Sequence, residues 1–221
     1  MIKMKFKYYL FDLDGTVLDT KEGITKSVAY ALKNIDVEVD DLDTLLPFIG
    51  PPLRESFKRF YSVSEQKAEE LVATYRERYA TDGIKECDLY AGAESLLKKL
   101  KDNGAVIALA TSKPTVFAKQ MLEDYGITGY FDEIVGCEFD GTRDSKNEVI
   151  EEVLKRLDIS GDKCHETVMI GDRSFDILGG KTFELATVGL RLGFAPKGEL
   201  EECGSDYIVA DYSELDRYIF S

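Results

Sequence analysis

YYLFDLDGTVLDT, residues 8–20, is an apolar run that ends in two carboxylates one residue apart, Asp12 and Asp14, followed at once by Gly15-Thr16. Such a run reads as a buried strand. Side chains at i and i+2 of an extended chain point the same way, so the two carboxylates crowd one spot at its end. Left unpaired they repel, and one of them is driven toward its neutral form. Asp-Gly is common turn chemistry and accounts for Asp14-Gly15. A turn leaves Asp12 unexplained, whereas a cation together with a reacting group calls for both carboxylates.

Outward from this strand the hydrophobic period changes. Ile24, Val28, Ala31, Leu32 and Ile35 recur at helical spacing, as do Ala68, Leu71, Val72, Tyr75 and Tyr79. Between them, LLPFIGPPLRESFKRFY predicts a helix entered at Pro51 or Pro52, where proline is tolerated. From residue 93 onward helices alternate with apolar runs. AESLLKKLKDNG, TVFAKQMLEDYG and residues 145–157, 173–182 and 212–219 read as helices, and VIALATS, DEIVG, TVMIG, ATVGL and DYIVA as strands. That alternation predicts an α/β fold, a parallel sheet with helices on both faces. The first strand joins the later sheet. The expected division is therefore an α/β core of residues 1–18 and 85–221, with an all-helical insertion over 19–84.

The chain has 221 residues and a formal net charge of −14. This length suits one large domain or a core with an insertion. Acidic residues spread along the whole chain repel phosphate backbones, which argues against nucleic acid or an anionic membrane as partner. Cys87, Cys137, Cys164 and Cys203 lie far apart without a C-x-x-C pair, and His165 is the lone histidine. Neither zinc nor a disulfide framework is expected, and reduced thiols in a cytoplasmic protein are. The uncharged run before Asp12 is too short for a signal-peptide core, and nothing later reaches membrane-spanning length. Monomer and homodimer both agree with the sequence.

Ligands of open parallel sheets bind beyond the carboxyl ends of the strands. The polar residues at those ends are Asp12 and Asp14, Thr111 and Ser112, and Gly171-Asp172 with Asp176 beyond. Carboxylates and hydroxyls thus converge where a cleft is expected. Lys146, opening a helical pattern, is the candidate positive charge. Carboxylate oxygens without histidine or thiolate suit Mg²⁺, which takes one or two carboxylates, waters and substrate phosphate oxygens. Asp12, Asp172 and Asp176 are candidates to hold it. An aspartate can also attack phosphorus, splitting one hard displacement into two steps through an aspartyl-phosphate. Lysine, hydroxyl and the backbone amides of the Gly15 turn would stabilise the charge spread over the phosphoryl oxygens. A second carboxylate two residues along can protonate the leaving oxygen and later take a proton from water. Asp12 is the candidate nucleophile and Asp14 the candidate acid/base.

These residues resemble the motifs of the haloacid dehalogenase superfamily of phosphohydrolases. D-x-D-G-T appears as Asp12-Leu13-Asp14-Gly15-Thr16, the hydroxyl after an apolar strand as Thr111 in VIALATSKP, the lysine as Lys146 in DSKNEVI, and G-D-x-x-x-D as Gly171 to Asp176. At roughly one in twenty per fixed residue, the first motif arises by chance about once in 10⁵ starting points, so it is specific alone; the second and third gain weight from order and spacing. The resemblance spans nearly the whole chain and implies a Rossmann-like core with a helical cap. IGPPLRESF and GSDYIVADYSEL look closest to the phosphoglycolate phosphatase-like branch. It implies Asp12 as nucleophile and metal ligand, Asp14 as acid/base and ligand through its backbone carbonyl, Asp172 as ligand and Asp176 in or next to the metal shell. Thr111 and Lys146 would hold the phosphoryl oxygens, with Gly15, Thr16 and Ser112 around them. Lys113, also at a strand end, competes with Lys146 for that role. Arg54, after Gly50-Pro51-Pro52, is a candidate contact to an anionic substrate. Phe175 departs from the polar residue that relatives often carry there.

The function expected is a Mg²⁺-dependent phosphatase acting on a small phosphorylated metabolite, phosphoglycolate or a nucleoside monophosphate among the candidates. Cap closure would exclude water and select the leaving group. A phosphomutase or a pyrophosphatase on the same scaffold is the alternative. Asp14 and the helical insertion argue against a non-enzymatic phospho-acceptor module, which needs neither. The aromatics Phe48, Phe57, Phe60 and Tyr61 could stack on a base, but their helical spacing also suits a core.

Overall fold

The structure, a computed structural model, describes residues 3–221. The chain forms two compact units, one running through Leu18 and resuming at Leu89–Ser221, the other Asp19–Asp88.

The first unit begins with strand β1 (Tyr8–Phe11), buried along its whole length. A tight turn follows, in which Gly15 takes φ +81°, a left-handed conformation that a side chain would strain. The two-residue strand β2 (Leu18–Asp19) leads into the second unit.

The second unit comprises helices α1 (Lys21–Leu32), α2 (Leu53–Tyr61) and α3 (Glu65–Thr81) with short 3₁₀ turns, including Leu42–Phe48 around Pro47. Their periodic residues close over one core: Ile24, Val28, Leu32, Phe57, Ala68, Leu71 and Tyr79 are buried. Phe48 gathers Phe57 and Phe60 at ring-centroid distances of 5.1 and 5.3 Å, so these aromatics pack on one another. Gly23 and Gly83 let α1 meet the Gly83–Lys85 turn, since a Cβ on Gly23 would lie 2.0 Å from the Gly83 carbonyl oxygen. Glu86 belongs to the same unit, its carbonyl accepting from Gly23 N–H at 2.9 Å.

Strand β3 (Asp88–Leu89), paired with β2, brings the chain back to the first unit. There follow α4 (Ala93–Asp102), β4 (Val106–Pro114), α5 (Thr115–Asp124), β5 (Glu133–Cys137), α6 (Lys146–Arg156) and α7 (Asp162–His165). The chain ends with β6 (Thr167–Gly171), α8 (Ser174–Thr182), β7 (Ala186–Leu190), α9 (Glu199–Glu202), β8 (Tyr207–Val209) and α10 (Tyr212–Ile219). Six strands form a parallel sheet in the order β5-β4-β1-β6-β7-β8. On one face Tyr8 and Leu10 join Ala108, Ala110, Met169 and the Val149, Ile150 and Val153 side of α6. Tyr9 and Phe11, equally buried, point to the other face, where α4 and α5 pack on β4. Burial on both faces is why the strands read as continuous apolar runs.

The predicted α/β sheet with helices on both faces and a helical insertion is the fold observed. The short elements β2, β3, α7 and α9 were not anticipated. Asn103-Gly104 and Gly126 end α4 and α5 as their residue types require, with Gly104 and Gly126 at φ +85° and +67°.

Candidate active site

The carboxyl ends of β1, β4 and β6 and the starts of α6 and α8 meet at one place. Asp12 follows β1, with its backbone N–H bonded to the Ile170 carbonyl of β6 at 2.9 Å. Asp172 follows β6, and Asp176 lies in the first turn of α8. Carboxylate oxygens of Asp12, Asp172 and Asp176 come within 4.8 Å of one another, all three residues buried.

Lys146 is the counter-charge. It is the first residue of α6, a helix whose start is set by a capping box between Ser145 and Glu148. A cation at a helix N-terminus opposes the macrodipole, so this position costs local stability and is explained by what the side chain reaches. Its Nζ lies 2.7 Å from Asp12 Oδ1, 2.7 Å from Asp176 Oδ1 and 2.9 Å from the Ala110 carbonyl. Burial works against the ammonium, but the attraction of Asp12 and Asp176 outweighs it and holds Lys146 charged well above its ordinary range.

Lysine compensation does not extend to all the carboxylates. Burial, aided by repulsion from Asp176 and Asp12, raises the Asp172 carboxyl well above the usual range. Burial likewise raises Asp176 to about 6, with Lys146 opposing the rise. Asp176 Oδ2 accepts from the Arg173 backbone N–H at 3.0 Å and so caps its own helix. Asp172 Oδ2 accepts from the Phe194 backbone N–H at 2.6 Å, while Oδ1 is buried without a hydrogen-bond partner. A buried carboxyl oxygen with nothing to bind, inside an all-oxygen donor set, fits a hard divalent cation.

Glycines crowd this carboxylate. A Cβ at Gly15 or Gly193 would lie 2.3 or 2.2 Å from Asp172 Oδ2, and one at Gly171 would lie 2.2 Å from Asp176 Cγ. Only bare backbone fits at these points. The Gly193-Phe194 loop after β7 was not singled out from sequence, although the strand-end rule that found the other residues applies to it.

The remaining predicted residues fall as follows. Asp14 lies in the turn, its Oδ1 3.0 Å from Lys113 Nζ. Thr111 and Lys113 are buried on β4, and the Thr111 hydroxyl accepts from the Lys113 backbone N–H at 3.2 Å. Ser112, out of phase with them, is half-buried. Thr16 is buried, with its carbonyl accepting from the Tyr212 hydroxyl at 2.7 Å and its own hydroxyl without a partner. Tyr212, on α10, was not anticipated. Arg54 lies in the helical unit, 3.5 Å from Glu65. Phe175 is exposed and lies beneath the Arg173 guanidinium, which also pairs with Glu199 at 3.0 Å. His165 is exposed in α7. Among the described residues no helix is long and apolar enough to cross a membrane.

The family model described as haloacid dehalogenase-like hydrolase matches residues 9–190. A 5'-nucleotidase from Pseudomonas aeruginosa is 37% identical over 218 residues, covering 99% of this chain and 97% of its own. Pyrophosphatase PpaX from Halalkalibacterium halodurans is 32% identical over 214 residues, covering 96% of each. The crystal structure of a predicted phosphatase from Clostridium acetobutylicum superposes with a TM-score of 0.92 at 43% identity, covering 96% of this chain and 97% of that one.

Proposed function

The chain belongs to the haloacid dehalogenase-like hydrolase family and is a phosphatase of that family; on that premise we propose that it is a Mg²⁺-dependent phosphatase that hydrolyses a small phosphorylated metabolite through an aspartyl-phosphate on Asp12. The observation that carries this reading is the placement of Asp12 at the tip of β1, paired with Lys146 and flanked by Asp172 and Asp176.

In the proposed reaction an Asp12 carboxylate oxygen forms a bond to phosphorus as the bond to the leaving oxygen breaks. Asp14 gives that oxygen its proton. Asp14 then takes a proton from water, whose oxygen attacks phosphorus, releasing inorganic phosphate and restoring Asp12. Lys146, Thr111 and the backbone of the Gly15-Thr16 turn bind the phosphoryl oxygens, with Ser112 beside them. Asp12, Asp172, Asp176 and the Asp14 carbonyl would hold Mg²⁺, which when bound neutralises phosphoryl charge. Arg54 is assigned to anionic substrates.

Substrates consistent with the relatives are a nucleoside monophosphate, as the name 5'-nucleotidase implies for one, and pyrophosphate, as the name PpaX implies for another. Phosphoglycolate is a further candidate. A phosphomutase would use the same aspartates but retain the phosphoryl group in its product. The four cysteines are not joined in disulfides, which suits a reducing cytoplasm. The test is phosphate release from phosphoglycolate, nucleotides, sugar phosphates and pyrophosphate with Mg²⁺ or EDTA, for wild type and Asp12→Asn. Metal-dependent release absent from the variant is expected. No release by folded wild type from any compound would overturn the reading.

A further inference from the structure

Asp172 and Asp176 stand at the two ends of the turn that leads from β6 into α8, and that turn carries an unsuited residue. The N-cap position of α8 is Arg173, in extended backbone at φ −119° and ψ 159°. A serine, threonine, aspartate or asparagine there accepts a hydrogen bond from the first helical turn. A guanidinium accepts none, and its charge opposes the helix dipole. The sequence thus breaks a local rule in the middle of G-D-x-x-x-D, so the compensation has to come from another element.

Glu199, the first residue of α9, supplies it. Its Oε1 accepts from the Ser174 N–H at 2.7 Å and from Arg173 Nε at 3.0 Å. One carboxylate therefore caps α8 and neutralises the cation at its start. Burial works against the charged form of Glu199, yet Arg173 and the Ser174 N–H hold its carboxyl below the ordinary range. The guanidinium also stands over the Phe175 ring, 5.8 Å from its centroid.

Glu199 is itself fixed in place. Its N–H donates to the Pro196 carbonyl at 3.1 Å. Leu200 beside it is buried against β7, where a Cβ at Gly189 would lie 3.0 Å from Leu200 Cδ1. Earlier on the same segment, the Phe194 N–H holds Asp172 Oδ2 at 2.6 Å. The stretch between β7 and α9 therefore grips the turn at two points, Asp172 through Phe194 and Ser174 through Glu199.

Both grips bear on the spacing of the carboxylates. Oxygens of Asp12, Asp172 and Asp176 lie within 4.8 Å of one another, so charge on them drives them apart unless the backbone resists. Asp176 Oδ2 is tied to the Arg173 N–H at 3.0 Å, and Arg173 is tied to Glu199. Groups that orient the ligands of a metal set its affinity too, and losing one typically costs about 10- to 100-fold.

We propose that Glu199 is a positioning residue of the metal site, clamping the Arg173-Ser174 turn so that Asp172 and Asp176 keep a cation-binding separation. This rests on the Mg²⁺-dependent phosphatase reading above and goes beyond it, because Glu199 lies outside every motif from which that reading was built.

The test is the Kd for Mg²⁺, measured by titration calorimetry without substrate, for wild type, Glu199→Ala, Glu199→Asp and Glu201→Gln, alongside the Mg²⁺ dependence of phosphate release. Glu199→Ala should raise Kd about tenfold or more. Glu199→Asp keeps the charge but draws the carboxylate back by one methylene, and should raise Kd at least about fivefold. Glu201→Gln removes a charge from the same helix, where Glu201 pairs with Arg191 at the surface at 2.6 Å, and should bind Mg²⁺ as wild type does. In both Glu199 variants the Mg²⁺ concentration for half-maximal release should rise by the same factor as Kd, with kcat at saturating Mg²⁺ within about threefold of wild type. A lower Tm with Kd unchanged in either Glu199 variant would overturn the inference, since a purely structural carboxylate does that. Should Glu199→Ala not fold, a wild-type Kd in Glu199→Asp overturns it alone. Equal weakening by Glu201→Gln would overturn it too, assigning the effect to net charge. Wild type that binds no Mg²⁺ would overturn the metal-dependent reading and this inference with it. Wild type that binds Mg²⁺ but releases phosphate from none of the compounds named above would overturn the phosphatase reading, and the Kd comparison would still decide this inference.

Discussion

Lys146 and Asp12 meet across the tip of the central strand, Nζ to Oδ1 at 2.7 Å, with both side chains more than nine-tenths buried. The lysine comes from a helix N-terminus that electrostatically disfavours it, so the pair is made at the expense of the helix. Breaking one side of a buried pair leaves the other charge uncompensated.

Lys146→Met therefore removes the counter-charge from Asp12 and Asp176 together. Stability should fall by about 3 kcal/mol, the lower end for a broken buried pair because the carboxylates can take up protons. Phosphatase kcat should fall on the order of 10²-fold or more, since in the proposed reaction the phosphoryl oxygens lose a fixed cation. Denaturant unfolding and steady-state kinetics on the same preparation read both effects.

Asp172→Asn acts in the opposite sense on the metal-free protein. Burial and two neighbouring carboxylates press on Asp172, so neutralising it should raise metal-free stability by about 1 kcal/mol, roughly 3 °C in Tm. The asparagine oxygen can still accept from Phe194 N–H. Saturating Mg²⁺ should stabilise wild type by about 2.7 kcal/mol at 100 times its Kd, and the variant by much less. Melting curves with Mg²⁺ and with EDTA check this, and a variant that responds to Mg²⁺ as wild type does would remove Asp172 from the metal site.

Tyr212→Phe tests the support behind the Asp14-Gly15-Thr16 turn. The Tyr212 hydroxyl donates to the Thr16 carbonyl at 2.7 Å, and burial pushes its own ionisation far above the ordinary tyrosine range, so it donates at every working pH. Losing it leaves a buried carbonyl unpaired, which should cost about 1–2 kcal/mol. The turn carries Asp14, so kcat should drop several-fold while Asp12 and its lysine remain in place. Unfolding and kinetics separate the two.

In the helical unit, Arg78 bonds to Glu86 at 2.9 Å, and Lys26 reaches it at 3.1 Å. Arg78 first, then Lys26, draws the Glu86 carboxyl below 4.5 against the effect of burial. A depressed acid adds stability that is present above its unfolded pKa and lost as pH falls through its folded value. Glu86→Gln should lower stability at pH 7 by about 1 kcal/mol, and the gap to wild type should close as pH drops below about 4.5. A gap that persists at pH 3 would assign the loss to packing.

The sheet and the helical insertion were legible because burial on both faces makes YYLF, VIALA and TVMI continuous apolar runs, while half-burial gives α4 and α6 their period. Elements of two to four residues, β2, β3, α7 and α9, span about one hydrophobic period, too few for a repeat to show. At the site, Asp12, Asp14, Thr111, Asp172 and Asp176 could be placed from the strand-end rule alone. Choosing Lys146 over Lys113 for the phosphoryl role needed the order of the motifs. The structure gives both lysines a carboxylate, Asp12 with Asp176 for one and Asp14 for the other. Gly193, Phe194 and Tyr212 were missed because their parts depend on backbone approach and on a hydrogen bond from the far end of the chain, which periodicity does not encode.

The sheet order places β1, synthesised before every other strand of that sheet, between β4 and β6. As the polypeptide leaves the ribosome, the strand that leads to Asp12 is made early but gains its second neighbour only after residue 167 has emerged. At about 5–20 residues per second, that leaves its edge open on the order of ten seconds. The helical segment has every residue it needs well before then. Nascent chains should therefore pass through a stage in which the insertion is folded and YYLF is still exposed, a stage in which chaperone binding at residues 8–11 would shield the strand that carries Asp12.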